Sequence, residues 1–446
     1  LSIDMSGIAG PWMRGAALSA FALTLGAASP ALGQAADPAV ATTPAPYLSL
    51  RQALTLASRT DPARAALSAR QRAVEAGVRQ ADVRPNPTVG LTVENLPTLG
   101  AGNFMGLTQT TLTYDQRLER GEDRSARTGL ARSEGDLVLA RARVAALDRL
   151  EEVQRAWAEV LSADALVEIA RQRLDLAEAF RTEVQRRVEM ARDPLFAGAR
   201  AEAELAQAQI DLDQAEVTAR IARISLVKFW DGMGRVSIDP AAFEDVSASR
   251  VVAGEAAGAD LAVFQAQSAI SEAQARVEEA RAVPDPTVSV GVRHMWANDV
   301  SLVFGGSIPL QRYDRNQGAI DRARAEGVAA RADANAFRAQ REREIARLQV
   351  QLLARANEAR RIHDETLPQA ERAVVLVREG FARGGFTYND VMAAHSALLQ
   401  TRARRVAVLQ TFHNDRARLD RLTGAHADLI GLEAQAADQP NPETRP

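Results

Sequence analysis

Arg84-Pro85-Asn86-Pro87-Thr88-Val89-Gly90-Leu91-Thr92-Val93 changes its period in the middle. Upstream, from Leu48 to Ala81, Leu50, Leu54, Ala57, Ala66, Ala69 and Ala73 sit at helical spacings. A Pro-x-Pro pair then stops that helix, because proline has no amide hydrogen to donate and disfavours the helical conformation in the residue before it. After it, Val89, Leu91 and Val93 point one way and small or polar residues the other, which is strand periodicity. The same event recurs at Val283-Pro284-Asp285-Pro286-Thr287-Val288, where four of the six residues are identical. Asp61 to Val93 aligns without gaps on Asp260 to Val292; further on Leu118 falls on Leu310, and Asp231-Gly232 lies opposite Thr423-Gly424. The first copy carries the longer loop, Leu96 to Gly106. The chain is thus a duplicated domain, since solenoid units run only about 20–50 residues.

Working outward, each copy continues the strand into a hairpin: residues 88–118 in the first, and in the second Thr287 to Trp296 and Val300 to Leu310 around Ala297-Asn298-Asp299. Strands of about 9–12 residues are the length a tilted strand needs to cross a bilayer. A long helical hairpin follows. No proline occurs from Arg124 through Asp193, and a continuous helix there would reach on the order of 100 Å. Val153, Val160, Val167 and Leu174, with Leu150 and Trp157 in the neighbouring register, form a coiled-coil seam. Asp193-Pro194 breaks the rod, and Ala199 to Trp230 returns with Ile210, Val217 and Ile224 at heptad spacing. In the second copy Ile320 to Leu367 goes out, Pro368 interrupts, Gly384-Gly385 turns, and Phe386 to Thr423 returns with Met392, Leu399 and Val406 in register before Gly424 stops it.

The predicted organisation is a signal peptide at 1–33, a polar segment at 34–47, a first repeat at 48–232 with its helical hairpin at about 122–231, a linker or small equatorial element at 233–258, a second repeat at 259–424 with its helical hairpin at about 318–423, and a polar, largely disordered tail at 425–446. The leader reading rests on Met13-Arg14, the apolar stretch Gly15 to Ala28 and the small residues Ala31-Leu32-Gly33 before Gln34. The mature protein is expected to begin at Gln34, a mass readily checked on purified material. Beyond the leader no run of about 18 apolar residues occurs, so the chain is either periplasmic or crosses an outer membrane as strands.

Composition narrows the function classes. The 54 lysines and arginines against 57 aspartates and glutamates give a net charge of -3, which offers no basic field for nucleic acid. Cysteine is absent, which removes disulfides, thiolate metal sites and a cysteine nucleophile. The five histidines, His294, His363, His395, His413 and His426, never pair at the spacing that puts two imidazoles on one helix face. They are expected at solvated or barrel-facing positions, with no metal site and no cofactor. Gly305-Gly306-Ser307 is too short and too strand-bound for a phosphate loop, and no nucleophile-base-acid arrangement supports catalysis.

Two separate hairpins cannot expose their edges in lipid, so they must join others in a closed barrel, and closure implies an oligomer. The order of leader, helix, Pro-x-Pro, hairpin, helical hairpin and glycine stop, twice over from Leu48 to Gly424, resembles the TolC-like outer membrane factors. Ser307-Ile308-Pro309-Leu310 and Tyr313-Asp314-Arg315-Asn316-Gln317-Gly318-Ala319-Ile320 are most similar to the channels of cobalt-zinc-cadmium and related heavy-metal exporters. The resemblance implies a mainly α fold with membrane β: a homotrimer whose four strands per subunit build a twelve-stranded barrel on a twelve-helix tunnel. It also implies docking to a periplasmic adaptor and an inner-membrane pump of the RND type, with the passive exit duct of an efflux system as the function. A type I protein-secretion duct and a periplasmic coiled-coil adaptor or scaffold are the rival readings; the two bilayer-length hairpins weigh against the latter.

Within Gly384-Gly385-Phe386-Thr387-Tyr388-Asn389-Asp390-Val391-Met392, Asp390 resembles an aspartate that rings the periplasmic aperture in that family. A first-turn aspartate favoured by the helix dipole is the competing reading. The family's second aperture aspartate is replaced by Ala393 and a gate-latching arginine by Phe386, which leaves the closed-state lock without its usual parts. Asp193, Pro194, Gly384, Gly385 and Phe386 are the tip-turn candidates for adaptor docking. Trp296 and Tyr313 are candidates for interfacial aromatic girdles, against ordinary packing.

Overall fold

The computed structural model describes residues 47–95, 108–232, 236–247, 258–295 and 299–430. The leader, the polar segment up to residue 46, the Leu96–Gly106 loop, Trp296 and the tail beyond residue 430 lie outside them. Helix α1 (Leu50–Thr60) is closed at its start by a reciprocal capping box between Ser49 and Gln52, and α2 (Pro62–Ala81) follows at once. The single helix expected over Leu48 to Ala81 is therefore two. Pro62 cannot continue α1, and Asp61 caps the new start by accepting a hydrogen bond from the Ala63 amide at 2.9 Å.

Strands β1 (Thr88–Glu94) and β2 (Gln109–Arg117) form the first hairpin; β3 (Thr287–Met295) and β4 (Val300–Ser307) form the second. All four make one antiparallel sheet in the order β1-β2-β3-β4, because β2 also pairs with β3, from Gln109 opposite Met295 to Arg117 opposite Thr287. Asp285, in the second Pro-x-Pro, ties the hairpins together at the helix end. Its buried carboxylate accepts from Arg117 Nε at 3.0 Å and from the Arg120 amide at 2.9 Å.

Helix α3 (Asp123–Glu189) is an unbroken rod of 67 residues, about 100 Å long, and α4 (Leu195–Val227) returns along it. The predicted seam is real on α3: Leu150, Val153, Trp157, Val160 and Val167 are buried and Leu174 half-buried. On α4 the expected seam faces elsewhere. Ile210, Val217 and Ile224 are about half exposed, and α4 meets α3 through Ala201, Ala208, Ala219, Ala222 and Leu226. Heptad spacing locates an apolar stripe but does not say what covers it, and the small alanines allow the closer helix approach.

The connecting segment contributes α5 (Ala241–Glu244), whose Phe243 joins Ile238 in the core against Val153, Val160 and Leu409. Helix α6 (Gly258–Arg281) leads to the second hairpin, and α7 (Gln317–Arg361) runs on through a π-turn, Ile362–Thr366, into α8 (Leu367–Ala382). Pro368 thus does not interrupt the rod as expected. It has no amide hydrogen for the Asp364 carbonyl, and the wider turn, in which the Leu367 amide reaches back to Ile362, accommodates its ring. Helix α9 (Tyr388–Thr423) ends at Gly424 in the left-handed conformation. His395 and His413 are not solvated as expected. His395 is buried, and His413 is stacked on Phe243 with Nε2 2.9 Å from that residue's carbonyl oxygen.

At mid-height four helices are cross-linked by charge. Arg421, on α9, is 4% exposed and pairs with the equally buried Asp260 of α6 and with Asp148 of α3 at 2.6 Å. Arg418, one turn earlier, reaches Glu344 of α7 at 3.0 Å and Glu151 of α3 at 3.3 Å. Arg341 and Arg155 complete the network on Glu344 and Glu151, at 2.7 Å each. Four guanidinium groups thus meet four carboxylates.

Candidate functional site

Two regions carry the chemistry: the sheet and the pair of helical tips. In the sheet, register places Val89, Leu91 and Val93 of β1, Leu112 and Tyr114 of β2, Val288, Val290 and Val292 of β3, and Val300, Leu302 and Phe304 of β4 on one face. All are exposed; Leu302 and Phe304 are 69% and 76% so. The other face carries Thr88, Thr92, Glu94, Gln109, Thr111, Thr113, Asp115, Ser289, Arg293, Ser301 and Ser307. There Arg293 Nε donates to Thr111 Oγ1 at 3.0 Å, and its Nη2 lies 3.7 Å from Glu94. A soluble sheet covers its apolar face with a core; this one leaves it bare, which is the pattern of a sheet whose apolar side meets lipid and whose polar side meets water. Tyr313, beyond β4 on the helix side, is 91% exposed beneath the Arg312 guanidinium. Among the described residues no helix is long and apolar enough to cross a membrane, and no cluster of metal-ligating side chains occurs.

At the other end, the first tip turns through Ala191, which adopts the left-handed conformation (φ 54°) without being glycine; the second uses Gly384 (φ 83°). Asp193 is bound by Arg187, which donates from Nε at 2.8 Å and from Nη2 at 3.2 Å. Pro194 is the cap of α4, and Leu195 and Phe196 behind it are 84% and 70% exposed. Phe386 lies against Gly380, where an added Cβ would stand 2.1 Å from its ring, so only glycine admits that packing. Asp390 is exposed and forms a capping box. Its Oδ2 accepts from the Thr387 hydroxyl at 2.6 Å and the Thr387 amide at 2.8 Å, and these bonds, hydroxyl first, hold its carboxyl below the ordinary carboxylate range. The local helix-start role is therefore occupied by Oδ2.

The two tips also touch one another through residues that sequence reasoning missed. Phe180 of α3 meets Tyr388 of α9 edge to face with ring centroids 4.4 Å apart, and lies 6.3 Å from Phe381 of α8. Arg187 covers Phe381 at 4.6 Å; Arg200 of α4 covers Tyr388 at 5.1 Å and donates to Asn389 Oδ1 at 3.1 Å. No spacing rule links positions that far apart in the chain. Only the antiparallel return of both hairpins brings them together.

Comparisons with known proteins bear on this geometry. Residues 252–425 match the model of the family described as "Outer membrane efflux protein". The cobalt-zinc-cadmium resistance protein CzcC of Cupriavidus metallidurans is 28% identical over 383 residues, 84% of this chain and 90% of that protein. The nickel-cobalt-cadmium resistance protein NccC of Alcaligenes xylosoxydans xylosoxydans is 27% identical over 64% of each chain. Among solved structures, the outer membrane protein VceC of Vibrio cholerae superposes with a TM-score of 0.64 at 18% identity, covering 84% of this chain and 96% of its own. CusC, described as forming a transmembrane channel, gives 0.65 at 13%, covering 83% and 91%. Residues 252–425 thus carry the sequence of the outer membrane efflux protein family, and the chain has a bare apolar sheet face at one end of long helical hairpins and the fold of solved outer-membrane channels: it is an efflux channel of the outer membrane with a long helical extension into the periplasm.

Proposed function

We propose that three copies of this chain form the passive exit duct of a tripartite efflux system for heavy-metal cations, handed on by a periplasmic adaptor and an inner-membrane pump of the RND type, with no catalytic step of its own. The observation that carries the assembly is that the chain is unfinished on both sides. Strands β1 and β4 are free edges, and edges cannot stay unpaired in lipid. Among the helices, α4 packs on α3, α3 on α6 and α9, and these on α7 and α8, so α4 and α7–α8 lie on opposite flanks. Each flank bears exposed apolar residues: Ile210, Val217, Ile221 and Ile224 on one, Val350, Leu353, Val375 and Leu376 on the other. One flank of a copy against the other flank of the next closes a ring. Two copies would give a barrel of about eight strands, whose interior side chains fill it; three is the smallest ring that leaves a lumen.

Support for the cargo comes from the metal-resistance relatives. Deleting the gene in its host is expected to lower tolerance to cobalt, zinc or cadmium, with recovery on complementation. Unchanged tolerance together with loss of a secreted protein would favour a type I secretion duct. The adaptor is assigned to the tip turns, Asp193-Pro194 and Gly384-Gly385-Phe386, where Leu195, Phe196 and Phe386 offer exposed apolar surface.

At the three-fold axis we place Asp390. Three like charges there attract cations. Asp390→Asn keeps an acceptor for Thr387 while removing the charge, so in planar bilayers it is expected to weaken block by divalent or trivalent cations applied from the periplasmic side. Asp193→Asn should do less, because Arg187 already neutralises Asp193. The hydrogen bonds from Thr387 hold the Asp390 carboxyl low, which favours its charged form. Unchanged block in Asp390→Asn, with assembly intact, would return the residue to its capping role alone.

A further inference from the structure

We propose that the helical body carries a binding site for a small, neutral, hydroxylated aromatic compound, in the cavity that α3, α4 and α9 form beside His395. The cavity holds about 780 Å³, within the usual size of small-molecule sites, about 300–1,000 Å³. It follows α9 from Asn389 to Ala403, about 21 Å of helix. Spread over that length the space is only about 7 Å across, whereas a helix with its side chains is about 10–12 Å wide. A partner helix therefore does not fit, and a slender, flat molecule does. None of Ile210, Val217, Ile221 and Ile224, the apolar flank of α4, lines the cavity, so a neighbouring copy seated on that flank leaves it open.

The wall selects the chemistry of the occupant. Leu166, Ile169, Leu176 and Phe180 of α3 face the cavity with Met392 and Leu399 of α9, and a ring and a thioether in an apolar wall favour an aromatic guest. The charged groups in the wall cancel: Arg173 and Arg200 stand with Glu204 and Asp211, and Arg173 is paired with Asp211. A wall without net charge suits a neutral molecule. His395, 8% exposed, supplies the one polar group that nothing in the protein uses. Its Nδ1 is enclosed without a hydrogen-bond partner, and Nε2, which is not enclosed, has none either. Burial, and then the Arg378 charge, lower its pKa, so the imidazole is neutral at pH 7. Whichever nitrogen carries the proton, Nε2 donates or accepts one hydrogen bond, and a hydroxyl can answer either. The similar metal-resistance proteins are named for cations, but among the described residues no cluster of metal-ligating side chains occurs, and this cavity suits an organic compound.

The test uses 2-naphthol as the probe and the absence of cysteine from the chain. Ser396→Cys places a single thiol in the cavity wall, and Leu399→Cys serves the same purpose should the first fail to assemble. In the purified full-length protein, saturating 2-naphthol is expected to slow labelling of that thiol by a neutral maleimide about tenfold. Thr60→Cys, exposed and outside the cavity, should label at an unchanged rate. His395→Phe, which keeps a ring and removes both nitrogens, should raise the protecting concentration about tenfold. Naphthalene, which lacks the hydroxyl, should show the same loss on the parent His395, a comparison that stands even if His395→Phe does not fold. No protection of either cavity thiol up to the solubility of 2-naphthol, equal slowing at Thr60→Cys, or protection by naphthalene as good as by 2-naphthol would overturn the site.

Discussion

Arg421→Ala is expected to lower the stability of the helical body by about 3–5 kcal/mol, read as a shifted denaturant midpoint of the helical signal in detergent. Removing one member of a buried pair leaves the other charged and unsolvated; here Asp260, 5% exposed, loses the guanidinium that satisfies it. Burial opposes the Arg421 charge, but its hydrogen bonds to Asp260 and Asp148 outweigh that and hold its pKa above the usual arginine value. Arg421→Met/Asp260→Leu should recover much of the loss, since both buried charges leave together and Asp148, half exposed, is hydrated. If the double variant is no more stable than the single, the cost lies in lost packing rather than in the stranded carboxylate.

The same network responds to acid. Burial pushes the Glu344 carboxyl up, but hydrogen bonds from Arg341 and Arg418, with their charges, bring it below its ordinary value of 4.5. A carboxyl depressed in the folded state contributes stability above its unfolded pKa, and that contribution fades as pH falls from about 4.5 through the depressed value.

The second large effect belongs to the sheet. Leu91, Leu112, Val292 and Leu302 form one row across all four strands at mid-height, on the bare apolar face. Leu91→Arg is expected to cost about 2–4 kcal/mol, the penalty of a cation on the lipid side of a barrel near the midplane, and to abolish the assembled, heat-modifiable oligomer. Thr92→Arg, one residue along and facing the polar side, should assemble normally. Equal tolerance of the two would mean that the apolar face does not meet lipid.

Much of this was legible in the sequence, for reasons that can be located. The Pro-x-Pro pairs are local events, so the start of each hairpin, β1 and β3, emerges from residues 84–93 and 283–292 alone. The α3 seam is legible because its apolar stripe is covered within the chain, by α1, α4, α5 and α9. The α4 stripe of Ile210, Val217 and Ile224 obeys the same spacing but stays exposed, because periodicity reports that a face is apolar and is silent on which chain covers it. Pro368 reads as a break because proline usually is one; the π-turn that absorbs it carries no mark in the sequence. The tip cluster of Phe180, Arg187, Arg200, Phe381 and Tyr388 and the Arg421–Asp260 pair are illegible for a third reason: their members lie far apart in the chain and meet only through tertiary packing.

The most direct test of the account is native mass spectrometry of the protein extracted from outer membranes in mild detergent. The account predicts a single species of three chains, each supplying four strands to one barrel. A monodisperse monomer that retains its strand content would contradict it, because a lone four-stranded sheet with two open edges has no stable place in a bilayer.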